Sequence, residues 1–157
     1  MTTVRKEIRI DATSAAVWNV RSDFGSPHTW APEVKHAVLL GGIDRGEGCE
    51  RSCAVSGLGT ITERAIAWKE GEGFELAIEG APMMSNVRST WAIRAEGGAS
   101  VVRAEVEYET RYGLLGAMIG VSLMRLMMSR TLGRTVRGLK HYVESGGAAE
   151  AGEASAA

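Results

Sequence analysis

The chain has 157 residues, of which 45% are hydrophobic, with 18 Lys+Arg against 19 Asp+Glu and a formal charge of -1. That composition reads as one soluble domain, long enough to bury roughly 68–70% of its unfolded surface, to need neither metal nor disulfide for a core, and to enclose a cavity. Without an excess of positive charge, nucleic acid is not an expected partner.

The start, MTTVRKEIRID, mixes charged with apolar residues and has no apolar run of the signal-peptide kind, so a cytoplasmic location is expected. Cys49 and Cys53 are the only cysteines. On one extended strand they would stand about 13 Å apart, from four steps of about 3.3 Å, too far to bridge. With His28, His36 and His141 they form no recognisable ligand spacing, so neither a metal nor another cofactor is expected.

Residues 4–10 alternate, with Val4, Ile8 and Ile10 opposite Arg5, Glu7 and Arg9, which predicts a half-buried first strand. Asp11 and Thr13 offer N-cap oxygens to a short helix carrying Val17, Trp18, Val20 and Phe24 at helical spacing. Pro27 and Pro32 bracket a second helix of a turn or two. Short β-type runs follow at 34–40, 48–56, 60–68, 74–79, 86–95 and 100–112, separated by glycines, as in an antiparallel meander.

In the last run Val102, Ala104, Val106, Tyr108, Thr110 and Tyr112 share one face, and Arg103, Glu105, Glu107, Glu109 and Arg111 the other. One face is therefore covered and one wet. Val87, Ser89, Trp91 and Ile93 alternate in the same way. Residues 114–145 lack proline and predict a long helix, with Leu132, Val136, Leu139 and Val143 as its apolar stripe.

Residues 114–128 hold 11 apolar side chains in 15, interrupted by Arg125. A membrane span needs about 20 residues, so none is predicted, although contact with a membrane surface or a second subunit is open. Gly116 and Gly120 form a GxxxG pair, read as close helix-on-sheet approach. The sequence divides into one domain, 1–145, and a disordered tail, 146–157, that lacks bulky apolar residues.

Strand, two short helices, six strands and a long C-terminal helix is the element order of the α+β helix-grip fold, a curved seven-stranded antiparallel sheet around that helix. In this order the chain resembles the START-like (SRPBCC) superfamily of polyketide cyclases/dehydrases and lipid-transport proteins, which includes birch-pollen-allergen-like proteins and plant abscisic-acid receptors. The stretch S-G-L-G-T-I-T-E-R at 56–64 is similar to the receptors' gate loop and the glutamate behind it. The resemblance implies that Leu58 sits on a gate at 57–60, that Glu63 points inward, and that Pro82, Met83 and Met84 lie on an opposing latch at 80–85. Trp30 takes the place of an aromatic walling the cavity.

Three positions depart from the receptors. Their carboxylate-anchoring lysine falls on Ala31, a pocket carboxylate falls on Val106, and the gate proline becomes Gly59. Neither that hormone nor its signalling partner is expected.

Without the resemblance, the strand around Glu63 has two registers. Either Ile61, Glu63, Ala65 and Ala67 or Thr62, Arg64, Ile66 and Trp68 face inward. Facing an apolar cavity, Glu63 would be a general acid/base or a ligand anchor; otherwise it is a solvated or arginine-paired strand residue. Arg51 is expected to point outward and pair with an acid.

Tyr108 and Tyr112, beside Ser89 and Thr110, would either present hydroxyls to a ligand or pack as core. His28 is either a base at the mouth or a surface histidine. Met118, Met124, Met127 and Met128 would line an adaptable pocket or fill core gaps. The expected ligand contacts are Trp30, Leu58, Glu63, Phe74, Met83, Ser89, Trp91, Val106, Tyr108 and Met118, and the catalytic candidates are Glu63, Tyr108 and His28.

The function expected is binding or transport of a small hydrophobic molecule, a lipid, polyketide or isoprenoid, by a monomer or homodimer. The alternatives are a polyketide cyclase/dehydrase performing aldol closure and water loss, and a membrane-associated lipid or quinone carrier.

Overall fold

The computed structural model describes residues 1–111 and 117–147. In chain order these form β1 (Thr2–Ile10), α1 (Ser14–Ser22), a one-turn 3₁₀ helix (Pro27–Thr29), β2 (Val34–Leu40), β3 (Glu50–Val55) and β4 (Gly59–Lys69). Then come β5 (Gly73–Glu79), β6 (Met84–Glu96), β7 (Ala99–Thr110), α2 (Ala117–Tyr142) and a π-type turn, Val143–Gly147. Seven antiparallel strands make one curved sheet in the order β1-β7-β6-β5-β4-β3-β2. Since β1 and β2 sit at opposite edges, the link between them must cross the whole sheet, and α1 and the 3₁₀ helix lie on that link.

Thr13, not Asp11, caps α1: its side-chain oxygen accepts from the Ala16 backbone N–H. The helix buries Val17, Trp18, Val20 and, against its chemistry, Arg21. On β6 and β7 the inward residues are the expected ones, Val87, Ser89, Trp91 and Ile93 beside Val102, Ala104, Val106 and Tyr108. On β4 a bulge between Ala65 and Ala67 switches faces partway along the strand. Ile61, Glu63 and Ala65 point inward before it, and Trp68 joins the core after it, so each expected register holds for part of the strand.

Helix α2 runs beside β1, buries Met128, Leu132, Val136 and Leu139, and is pinned where Lys140 Nζ donates to the Arg9 carbonyl at 2.7 Å. Farther towards its N-terminus Met118, Leu123, Leu126 and Met127 are exposed. No helix among the described residues is long and apolar enough to cross a membrane. Gly146 and Gly147, expected in the tail, belong to the closing π-type turn. Tyr112, Gly116 and the rest of the expected tail lie outside the described residues.

Two features position the site and can be tested. A Cβ at Gly138 would lie 2.4 Å from the Trp30 carbonyl oxygen and 2.7 Å from Pro32 Cδ, so α2 meets the crossing link only because that side chain is missing. Gly138→Ala is expected to destabilise by about 1–3 kcal/mol despite alanine's better helix propensity, seen as a lower Tm in a thermal melt.

Glu70, at the end of β4, accepts from the indole N–H of Trp18 (2.8 Å) and of Trp68 (2.9 Å) and from Arg45, tying α1 to the sheet. The Arg45 bond, then the Trp68 and Trp18 bonds, lower its pKa from 4.5 to about 2. A folded pKa below the unfolded one stabilises fully above pH 4.5 and is lost as pH falls through about 2. Urea melts should show wild type more stable than Glu70→Gln at pH 6, with the gap closing towards pH 2.

Candidate functional site

Between the sheet, the 3₁₀ helix and α2 lies a cavity of about 120 Å³. Its wall is mostly apolar: Val55, Ile61, Leu76, Ile78 and Val106 from the sheet, Met128 and Leu132 from α2, and Trp30 and Ala31 beyond the 3₁₀ helix. The alternation of the strands aims the first group at one face, and the apolar stripe of α2 covers them. Leu58, half-buried, reaches the wall from the β3–β4 turn, where Gly57 (φ 82°) and Gly59 (φ 74°) take up left-handed backbone. The β5–β6 turn starts beside the first residues of β4, since a Cβ at Gly80 would lie 3.0 Å from the Thr60 carbonyl oxygen.

Polar groups interrupt this wall. Arg51 points inward, correcting the expectation of an outward residue, because its partner on the neighbouring strand, Glu63, is itself inward. Arg51 Nε donates to Glu63 Oε2 at 2.6 Å and Nη1 to the Phe24 carbonyl at 3.0 Å. Cys53 Sγ lies 3.7 Å from the same carboxylate oxygen. Burial, and then the Glu63 charge, push the Cys53 thiol up to about 12, which leaves it a protonated donor rather than a nucleophile. Both cysteines are unbridged and buried. Ser89 Oγ accepts from the Trp91 indole N–H at 3.0 Å.

Two charged wall residues escaped the sequence reading. Glu33 is buried and accepts from Arg134 Nε (2.9 Å) and Thr135 Oγ1 (3.1 Å) on α2. Arg21 is only 1% exposed and stands over the rings of Trp91 (3.9 Å to the centroid), Phe74 (4.6 Å) and Trp30 (4.7 Å). Its Nε and Nη2, and the Trp30 Nε1, are buried without a hydrogen-bond partner among the described residues. Burial, with Arg51 nearby, lowers the Arg21 pKa well below its usual value, and Glu63 opposes the shift. The signal was present: Arg21 lies four residues after Val17 and three before Phe24, on the helix face already read as apolar.

Of the expected contacts, Trp30, Leu58, Glu63, Ser89, Trp91 and Val106 come together on this wall. Phe74 is buried beneath the Arg21 guanidinium rather than on the wall, and Tyr108 is fully buried beyond it. Met83 is 52% exposed at a left-handed φ of 63°, and His28 is exposed on the 3₁₀ helix. Met118, expected on the wall, is 86% exposed, because α2 meets the core only farther along, from about Met124. Of the four helix methionines expected there, only Met128 lines the cavity.

With a curved sheet gripping a long helix over a cavity, the fold is that of START-like proteins. The family model described as polyketide cyclase / dehydrase and lipid transport matches residues 1–144, and the chain belongs to that family. A START superfamily protein from Mycobacterium smegmatis superposes with a TM-score of 0.74 at 16% identity, over 91% of this chain and 97% of its own. A protein of Thermus thermophilus gives 0.75 at 17% identity, over 92% and 98%. One from Thermobifida fusca gives 0.75 at 18%, over 91% and 93%. Identities this low show the fold alone. No match to a curated protein sequence was found.

The Arg51–Glu63 pair is mostly withdrawn from water, so removing one partner strands the other charge. Glu63→Leu alone should cost about 3–5 kcal/mol in urea unfolding, whereas the double replacement Arg51→Met, Glu63→Leu should recover most of it.

Proposed function

We propose that the protein binds a small hydrophobic molecule in the internal cavity, with residues 57–60 and 80–85 as gate and latch. The carrying observation is an apolar hollow at the centre of the fold, where burial of ligand surface supplies roughly 25 cal/mol per Å². Its volume is close to that of an engineered apolar cavity of about 150 Å³ that takes up benzene, and so suits a single small ring. Larger lipids would have to displace the lining, and the two glycine-bearing turns are where the chain is built to allow this.

Binding is favoured over acid–base turnover by the placement of the three catalytic candidates. Glu63 is engaged by Arg51, Tyr108 is off the cavity wall, and His28 is exposed on the surface. Among the described residues, these three do not face a common point in the cavity.

Native mass spectrometry of gently purified protein, followed by organic extraction, is the direct test, and a stoichiometric lipophilic adduct is the expected result. Val106→Phe, which fills the cavity from β7, should abolish the adduct while leaving the circular dichroism spectrum unchanged. Leu58→Gly with Met83→Gly should speed ligand release about tenfold in a stopped-flow chase. An unchanged release rate would remove the gate from this reading.

A further inference from the structure

Among the described residues four charged side chains line the cavity, and three of them are matched. Arg51 and Glu63 pair with each other, and Glu33 is held by Arg134 and Thr135. Arg21 is not matched: the nearby carboxylate, Glu63, is already engaged by Arg51, and three aromatic rings surround the guanidinium without offering a hydrogen-bond acceptor in the ring plane. Arginine does not escape this by losing its proton, because guanidinium remains charged in proteins. Burial lowers the Arg21 pKa, yet guanidinium starts high enough to stay charged near neutral pH, so the site holds an unmatched cation.

Which donors are unused is informative. Nε and Nη2 are closed off by the surrounding protein, so a group in the cavity would meet the guanidinium at Nη1. Trp30 Nε1, also without a partner among the described residues, belongs to a ring that the guanidinium overlies. Ser89 Oγ already accepts from Trp91, so its own hydroxyl hydrogen is available to donate. Around Arg21 donors are in excess of acceptors, the other charged groups of the wall are paired, and most of the rest is apolar.

We propose that the natural ligand is a carboxylate on a compact apolar body, its head drawn to the unmatched Arg21 guanidinium with support from the Ser89 hydroxyl. The inference rests on the reading of the cavity as a ligand site and adds the chemical class of the ligand. The cavity volume favours a body the size of one ring over an extended acyl chain. Cation–π contact keeps the guanidinium in place before the ligand arrives, so the anion meets a preorganised donor rather than one that must be ordered on binding.

The test compares three probes by quenching of tryptophan fluorescence, which reports on Trp30 and Trp91 beside Arg21. Benzoate carries the head group, benzyl alcohol is its neutral near-isostere, and decanoate has the same head on a long chain. Wild type is expected to bind benzoate at least about 30-fold more tightly than benzyl alcohol, and more tightly than decanoate.

Arg21→Met should remove the preference for benzoate while keeping benzyl alcohol binding and a thermal melt no lower than wild type. Arg21→Lys, which keeps the charge and loses the broad planar group held between the rings, should fall between them. Equal wild-type affinities for benzoate and benzyl alcohol, or benzoate binding unaffected by Arg21→Met, would overturn the proposal and leave the cavity reading standing. Tighter decanoate binding would overturn the compact body. Failure of all three probes, with no adduct in native mass spectrometry, would overturn both readings.

Discussion

A buried guanidinium is the constraint around which this fold is arranged. Withdrawing a cation from water costs several kcal/mol even after relaxation, and Arg21 recovers part of it from three ring faces, each contributing up to about 2 kcal/mol when desolvated. Those faces must be held still to serve. Trp68 stacks on Phe74 at 5.1 Å between centroids, Trp18 meets Trp68 edge-on at 5.3 Å, and Trp30 meets Trp91 at 6.1 Å. With Phe24 packed against Trp68 and Phe74, all four tryptophans and both phenylalanines of the chain gather around α1. The crossing link is thereby fixed to the sheet, and a cavity is left beside it.

The second buried arginine is handled differently. Arg51 has a carboxylate, a backbone carbonyl and the face of Phe24, so its charge is matched and both its Nε and Nη1 donate. It joins β3 to β4 and to the end of the α1 segment. Such a pair is weak evidence of stability by itself, since an apolar pair of similar volume often serves as well, yet it fixes which face of β4 looks inward. Arg21 has the rings alone, and its donors are left over.

The architecture was legible because it rests on periodicities that burial enforces. Val102, Ala104, Val106 and Tyr108 alternate with charged residues, and an alternating strand has only one face to bury. Leu132, Val136 and Leu139 step at helical spacing and do cover that face. The site was legible only in part. Both registers of β4 looked acceptable since a bulge makes each of them true over half the strand, and a bulge leaves no pattern of its own in a single sequence. Arg21 was passed over because arginine reads as solvated, although its place among Val17, Trp18 and Phe24 put it on the buried stripe. Met118 failed for the opposite reason: apolar character says that a residue can be buried, and only the packing of α2 says where burial begins.

The small size of the cavity bears on how the fold can discriminate. Trp30, Trp91, Met128 and Leu132 fill space that smaller residues would leave to a ligand. A bulky ligand must bind a form in which some of them, or Leu58 on its turn, have moved, and its apparent affinity falls with the fraction of molecules in that form. A compact ligand does not incur that cost. On the proposed reading, size selection comes from the free energy of opening, and head-group selection from the unmatched charge of Arg21. The two criteria act on opposite ends of the same ligand, so a molecule that satisfies only one of them gains little from the other.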